Sequence, residues 1–234
     1  MNGFLKYITI CLCVSSTHAF AEDLSSATDP LPPGTFTSLK HSDEWLIKNA
    51  LSAGPDWITN KATVTLMEMS VGGQMTERVL RQGSNGWICM PDMPGRPQHD
   101  PMCGDETMMK WLKAVMAGEK PNIDRVGLSY MLMGEARQGQ NVPGAKDPSK
   151  VKEWFYIGPH IMIVLPDSGV AALRDVNQDL SQDGAYVTSI NKSPSLLWVI
   201  PVGKKGERIE SYPPGQDRLS KRESDHLPMK EAKK

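Results

Sequence analysis

Asp105-Glu-Thr-Met-Met-Lys-Trp-Leu-Lys-Ala-Val-Met-Ala-Gly118 is followed, beyond Pro121, by Val126-Gly-Leu-Ser-Tyr-Met-Leu-Met133. In the first stretch Met108, Met109, Leu112, Val115 and Met116 recur at three- and four-residue spacing, while Lys110 and Lys113 fall on the other side. Asp105 is placed to cap this helix and Gly118 to end it. In the second stretch Val126, Leu128, Tyr130 and Leu132 alternate with Gly127, Ser129, Met131 and Met133, which reads as a strand covered on both faces, in mid-sheet. A helix feeding a central strand sets the class as α+β. The expectation is a single domain, a mainly antiparallel sheet of five to seven strands packed by two main helices, with one disulfide.

Working outward, the second main helix starts at Ser42, an N-cap followed by Asp43 and Glu44. Trp45, Leu46, Ala50 and Leu51 form its apolar side, and Gly54-Pro55 stops it. Ala62 to Met69 and Met75 to Arg81 read as a hairpin around Val71-Gly72-Gly73. Gly83-Ser84-Asn85-Gly86 then turns the chain into Trp87 to Met90, expected as the third strand of a meander. Residues 91 to 104 read as a Pro-rich loop and Gly134 to Lys152 as a long polar loop. Beyond them, Trp154 to Ile157, the bend Gly158-Pro159-His160, the run Ile161 to Leu165, a short helix from Asp167 or Ser168 to about Asp175, and strands Ala185 to Ile190 and Leu196 to Val202 complete the reading.

The ends differ from the middle. Lys6, the apolar Ile8 to Val14 and Ala19-Phe20-Ala21 have the layout of a secretory signal, so residues 1–21 are read as a signal peptide cleaved near Ala21. Residues 22–40, with Asp29-Pro30-Leu31-Pro32-Pro33-Gly34, are read as an extended arm, 41–202 as the α+β domain, and 203–234 as a charged disordered tail. The implied location is periplasmic or secreted.

Composition narrows the function. The 234 residues carry 26 Lys and Arg against 27 Asp and Glu, with no basic field for nucleic acid. No stretch has the roughly 18 apolar residues of a membrane span. Of the 4 cysteines, Cys11 and Cys13 fall in the signal, which leaves Cys89 and Cys103 to pair in an oxidising compartment. The alternative is a reactive Cys103 thiol just before a helix start.

Candidate chemistry gathers around that loop. Met90, Asp92, Met93, His99, Asp100, Met102, Cys103, Asp105, Met108 and Met109 are its potential ligands, and thioether plus imidazole suits Cu(I), so Met90, Met93, His99 and Met102 are the metal candidates. Against copper, methionine is also the flexible filler of cores, and most of the 14 Met sit at apolar positions. The aspartates lack the spacing of a calcium loop. His160, beside Gly158-Pro159, and His99 are the acid/base candidates, with hydrogen-bonded structural histidines as the plain reading. Among the six Trp, an exposed pair from Trp57, Trp87 and Trp154 would make an aromatic ligand surface, and Trp87, Trp154 and Asp100 are the ligand-binding candidates. Ser84 and Ser129 lie in no Gly-x-Ser-x-Gly frame, and metalloprotease, phosphate-loop, Cys-x-x-Cys and haem patterns are absent.

The order Gly83-Ser84-Asn85-Gly86-Trp87-Ile88-Cys89-Met90-Pro91-Asp92, Asp100-Pro101-Met102-Cys103 leading to Trp111, Val126 to Leu132, and Gly158-Pro159-His160-Ile161-Met162 resembles a group of uncharacterised secreted bacterial proteins, over about residues 50 to 202. The resemblance implies a signal peptide and one domain, and carries no catalytic residue, cofactor or partner with it. The charged extension after Val202 departs from the group. The functional expectation is a non-catalytic exported domain that binds an envelope partner or a small molecule. The alternatives are a hydrolase-like enzyme using His160 or His99, and a Met/His copper protein.

Overall fold

Ser42 caps the first helix as expected, its Oγ accepting the amide of Trp45 at 3.2 Å, and α1 runs Asp43–Leu51. It is followed by α2 Asp56–Thr59, β1 Thr63–Met69, β2 Met75–Arg81, β3 Ile88–Met90, β4 Met102–Gly104 and α3 Glu106–Met116. The remaining elements are β5 Gly127–Met131, β6 Glu135–Gln138, β7 Trp154–Ile157, β8 His160–Val164, α4 Asp167–Val170, β9 Tyr186–Ser189, β10 Leu196–Pro201 and β11 Glu210–Tyr212. These come from a computed structural model that describes residues 22–32, 35–69, 75–138, 154–170, 173, 185–189, 196–202 and 210–212. The proposed signal peptide, the segment 139–153 and most of the tail lie outside the described residues.

The class is α+β, but the sheet is larger and more mixed than expected. Eight strands run in the order β2-β1-β3-β4-β5-β8-β10-β9, and β11-β7-β6 form a second, three-stranded sheet. β3 does not extend a meander beyond β2; it lies on the other side of β1 and parallel to it, Val64 opposite Cys89. Gly83 is the physical reason. A Cβ there would stand 2.2 Å from the Thr63 amide nitrogen, so only glycine lets the chain tuck under the start of β1. Gly83 N donates to Thr63 Oγ1 at 3.0 Å, Ser84 N to Lys61 O at 2.8 Å, and Thr63 N to Trp87 O at 2.9 Å. The link thus wraps the strand end and returns in the same direction.

The loops and the two ends of the chain also hold structure that the sequence reading did not place. The end of the supposed 91–104 loop is β4, and part of the supposed 134–152 loop is β6. Gly134, at φ +79°, bends the chain between β5 and β6 at a point where a Cβ would strike Ile157 O and Gln98 Nε2. Glu210–Tyr212, within the stretch read as a disordered tail, pairs with β7. Residues 22–40 also hold more than an extended arm. They contain a 3₁₀ turn, Leu24–Ala27, capped by Asp23, and Ala27 and Thr37 are buried.

The two main helices pack on opposite faces. α1 lies against β1, β2, β3 and β4, with Ala50, Ala53, Ala62, Val64 and the two cysteines in its core. α3 lies against β4, β5 and β8, where Met108, Met109, Trp111 and Val115 meet Met102, Met131, Met162 and Val164. Asp105 ties α3 to the sheet, one carboxylate oxygen accepting Met108 N and the other Leu128 N. Because side chains alternate, Leu128, Tyr130, Ile161, Ile163, Trp198 and Ile200 point away from α3. All six are only half-buried.

Candidate functional site

The loop between β3 and β4 carries most of the candidate residues. Its ends are joined, since Cys89 and Cys103 are cross-strand partners and form the disulfide. Within it Asp92 organises the backbone: its Oδ1 accepts the amide of Asp100 at 2.9 Å, and its Oδ2 lies 2.5 Å from His99 Nδ1. Asp100 returns the contact, accepting Met93 N at 2.9 Å, and its other oxygen is 3.6 Å from Arg96 Nε. Both aspartates are buried, and His99 is 2% exposed.

α1 closes one side of this cluster. Asn49 sits on an otherwise apolar stripe with Trp45, Leu46 and Ala50, and is completely buried. Its Oδ1 accepts Asp92 N at 2.8 Å, and its Nδ2 donates to Ala27 O at 2.9 Å and stands 3.3 Å from His99 Nδ1. Trp45 lies tilted over His99 with centroids 6.0 Å apart, stacks on His41 at 3.7 Å, and donates Nε1–H to Ser26 Oγ at 2.7 Å. Glu22 finishes the row, accepting Ser42 N at 2.9 Å and lying 2.6 Å from His41 Nδ1. Those bonds, with Ser42 first, hold the Glu22 carboxyl down at about 2.

The second sheet closes the other side. Arg96 donates Nη1–H to Ala136 O at 3.1 Å and spreads over the Trp154 ring at 6.0 Å. Thr37 N donates to Arg96 O at 2.7 Å, while Thr37 Oγ1 accepts Arg96 N at 3.0 Å and donates to Met93 O at 2.5 Å. Gln98 Nε2 donates to Met133 O at 2.7 Å. His160, 0% exposed, donates Nδ1–H to Gly158 O at 2.7 Å and turns Nε2 toward Glu135 Oε1 at 3.7 Å. Desolvation first, and then the charge of Asp92, raise the Asp100 carboxyl well above its ordinary range; Arg96 opposes this and Glu135 adds to it. His99 thus contacts Asp92, and His160 faces Glu135.

Chemically, His99 is held by its Nδ1, which faces Asp92 Oδ2, while its buried Nε2 has no hydrogen-bond partner among the described residues. That is the orientation half of an acid/base pair, but the nitrogen is enclosed, and no hydroxyl or thiol bonds to it. Ser129 is buried on the α3 side of the sheet, and its Oγ has no hydrogen-bond partner among the described residues.

The other candidates separate. Met90 and Met102 are cross-strand partners packed into the α3 core, whereas Met93 is 48% exposed. Among the described residues no group of three His, Cys, Asp or Glu gathers as a metal site. Of the tryptophans, Trp57 is 72% exposed on α2, Trp87 is half-buried against Tyr130 at 5.6 Å, and Trp154 is 0% exposed. Trp154 is thus a core ring under Arg96 and no part of an exposed pair. Asn85 joins the other two supports, donating to Ile58 O in α2 at 2.8 Å and accepting the Trp87 amide at 3.2 Å. Asn49, Thr37, Arg96 and Glu135 were not singled out by sequence reasoning. Only Asn49 left a signal, a polar residue inside an apolar helical stripe.

No family model, curated protein or solved structure matches the chain.

Proposed function

We propose that this is an exported, non-catalytic domain that binds a small, largely apolar ligand on the sheet face opposite α3. The observation that carries the reading is the row Leu128, Tyr130, Ile161, Ile163, Trp198 and Ile200, six large apolar side chains in register on adjacent strands and each still partly open. Trp87 extends the row through its contact with Tyr130. Five-residue strands at about 3.3 Å per residue and three strands about 4.8 Å apart give a patch of roughly 17 by 14 Å. That is about 240 Å², against the roughly 800 Å² each partner buries in a stable protein complex, so size favours a small molecule over a protein. Export is supported by the signal-like first residues and by the disulfide. Among the described residues, no helix is long and apolar enough to cross a membrane.

The test is native mass spectrometry of the mature protein after incubation with the small-molecule fraction of an envelope extract. The reading expects a discrete adduct that Ile163→Lys and Tyr130→Ser variants of unchanged fold do not retain. Absence of any adduct, or equal retention by the variants, contradicts it.

A second reading is favoured by the His99 to Asp92 contact: a hydrolase-like enzyme with Nε2 as its base, exposed when residues 22–37 lift away. It requires loss of a measurable hydrolytic activity in His99→Gln with the fold intact, and it fails if the mature protein shows no such activity against ester, amide and glycoside panels.

A further inference from the structure

The short helix α2 buries Ile58 and Thr59 and leaves Trp57 72% exposed. Among the described residues no other ring or cation stacks on this indole. The backbone beneath it is nevertheless tightly held. Asn85 Nδ2–H donates to Ile58 O at 2.8 Å, Arg81 Nη2–H to Thr59 O at 2.5 Å and to Ala62 O at 2.7 Å, and Ser84 N–H to Lys61 O at 2.8 Å. So short a helix would otherwise leave these last carbonyls to water. Trp57 is thus displayed from a rigid support, which spares a binding residue much of the entropy of ordering on contact.

Asn85 couples a second ring to this support. Its Oδ1 accepts Trp87 N at 3.2 Å while its Nδ2 holds Ile58 O, so a single carboxamide spans the two backbones. Thr63 N, donating to Trp87 O at 2.9 Å, fixes the other side of the Trp87 peptide. The Trp87 ring is half-buried, tilted by 45° against Tyr130. The exposed side chains beside these two rings in the chain, and across the Ser84 to Lys61 bond, are the polar Asp56, Asn60, Lys61 and Ser84. Asp56 and Lys61 carry opposite charges, so this rim selects for neither sign.

Size and openness select the class of ligand. A tryptophan surface of roughly 150–250 Å² that is 72% open offers about 110–180 Å², far below the roughly 800 Å² a protein partner covers. A cation gains most where rings enclose it away from water, and an open indole encloses nothing. A pyranose ring needs the opposite: its C–H face lies flat on one exposed indole, while its hydroxyls stay in a wet, polar rim. We propose that Trp57 and Trp87, coupled by Asn85, form a binding platform for a neutral saccharide, with a pyranose ring stacked on Trp57. The platform does not depend on the sheet face holding a ligand of its own.

Saturation-transfer NMR of the mature oxidised protein with N-acetylglucosamine hexamer, cellohexaose and maltohexaose tests this, with tetramethylammonium as the cationic control. At least one saccharide is expected to bind saturably. Trp57→Ala removes mainly exposed surface, so the fold is retained, and saccharide binding is expected to weaken about tenfold or more. Trp57→Phe keeps a flat ring and is expected to retain more of the binding than Trp57→Ala. Ile163→Lys, on the sheet face, is expected to leave saccharide binding unchanged, which separates this site from the apolar one. Absence of binding by all three saccharides, wild-type binding in Trp57→Ala, loss of binding in Ile163→Lys, or binding of tetramethylammonium alone overturns the proposal.

Discussion

Cys89 and Cys103 stand directly opposite each other across β3 and β4 and are bonded there, so the loop that holds Asp92, Arg96, His99 and Asp100 is closed at its base. Both side chains share a buried cluster with Ala50, and Cys103 lies beside Gly54, which makes the disulfide part of the α1 core as well as a loop closure.

Replacing both cysteines by alanine is therefore expected to cost about 3 kcal/mol from lost loop closure. Urea denaturation followed by circular dichroism measures it. A loss below about 1 kcal/mol would show that the loop is held by its hydrogen bonds alone.

Asn49→Leu is expected to destabilise despite adding apolar volume. It strands the Asp92 amide and the Ala27 carbonyl in a buried place, at about 1–3 kcal/mol for each unsatisfied group. The same denaturation experiment reads the change, and a neutral result would mean that α1 and the loop are not coupled through this side chain.

Glu22 gives the acid side of the stability profile. Its carboxyl is lowered from 4.5 to about 2, so its contribution is present above pH 4.5 and disappears as pH falls through about 2. Glu22→Gln should lower the melting temperature at neutral pH and narrow its difference from wild type near pH 2. Equal differences at both pH values would contradict the role given to its contacts with Ser42 and His41.

Gly83→Ala should be among the most damaging single substitutions in the chain. The new Cβ meets backbone on three sides, where nothing flexible can yield. Loss of the cooperative transition, or a drop of several kcal/mol, is expected; near-native stability would mean that β3 can take another path.

What could be read in advance was local. Ser42 and Asp105 mark their helices because capping is a matter of neighbouring residues, and the stripes of α1 and α3 show their buried faces. The β1–β2 hairpin and the partners β5, β8 and β10 were visible from their apolar runs. What escaped was set by distant contacts. β3 turns parallel because Gly83 fits under β1. β4 is too short and too rich in Met and Cys to stand out, and β11 owes its existence to the edge of β7. At the site, His99, His160 and Asp100 were candidates by type, yet the partners Asn49 of His99 and Glu135 of His160 lie far from them in the chain.

The central claim, an apolar ligand surface on the face away from α3, is tested most directly by titrating the mature protein with the fluorescent probe anilinonaphthalene sulfonate and comparing wild type with Ile163→Lys at matched circular dichroism. The account predicts saturable binding to the folded wild type, with one dominant site, and its loss in the variant. Absence of binding to the wild type, or an unaltered binding curve in the variant, would contradict it.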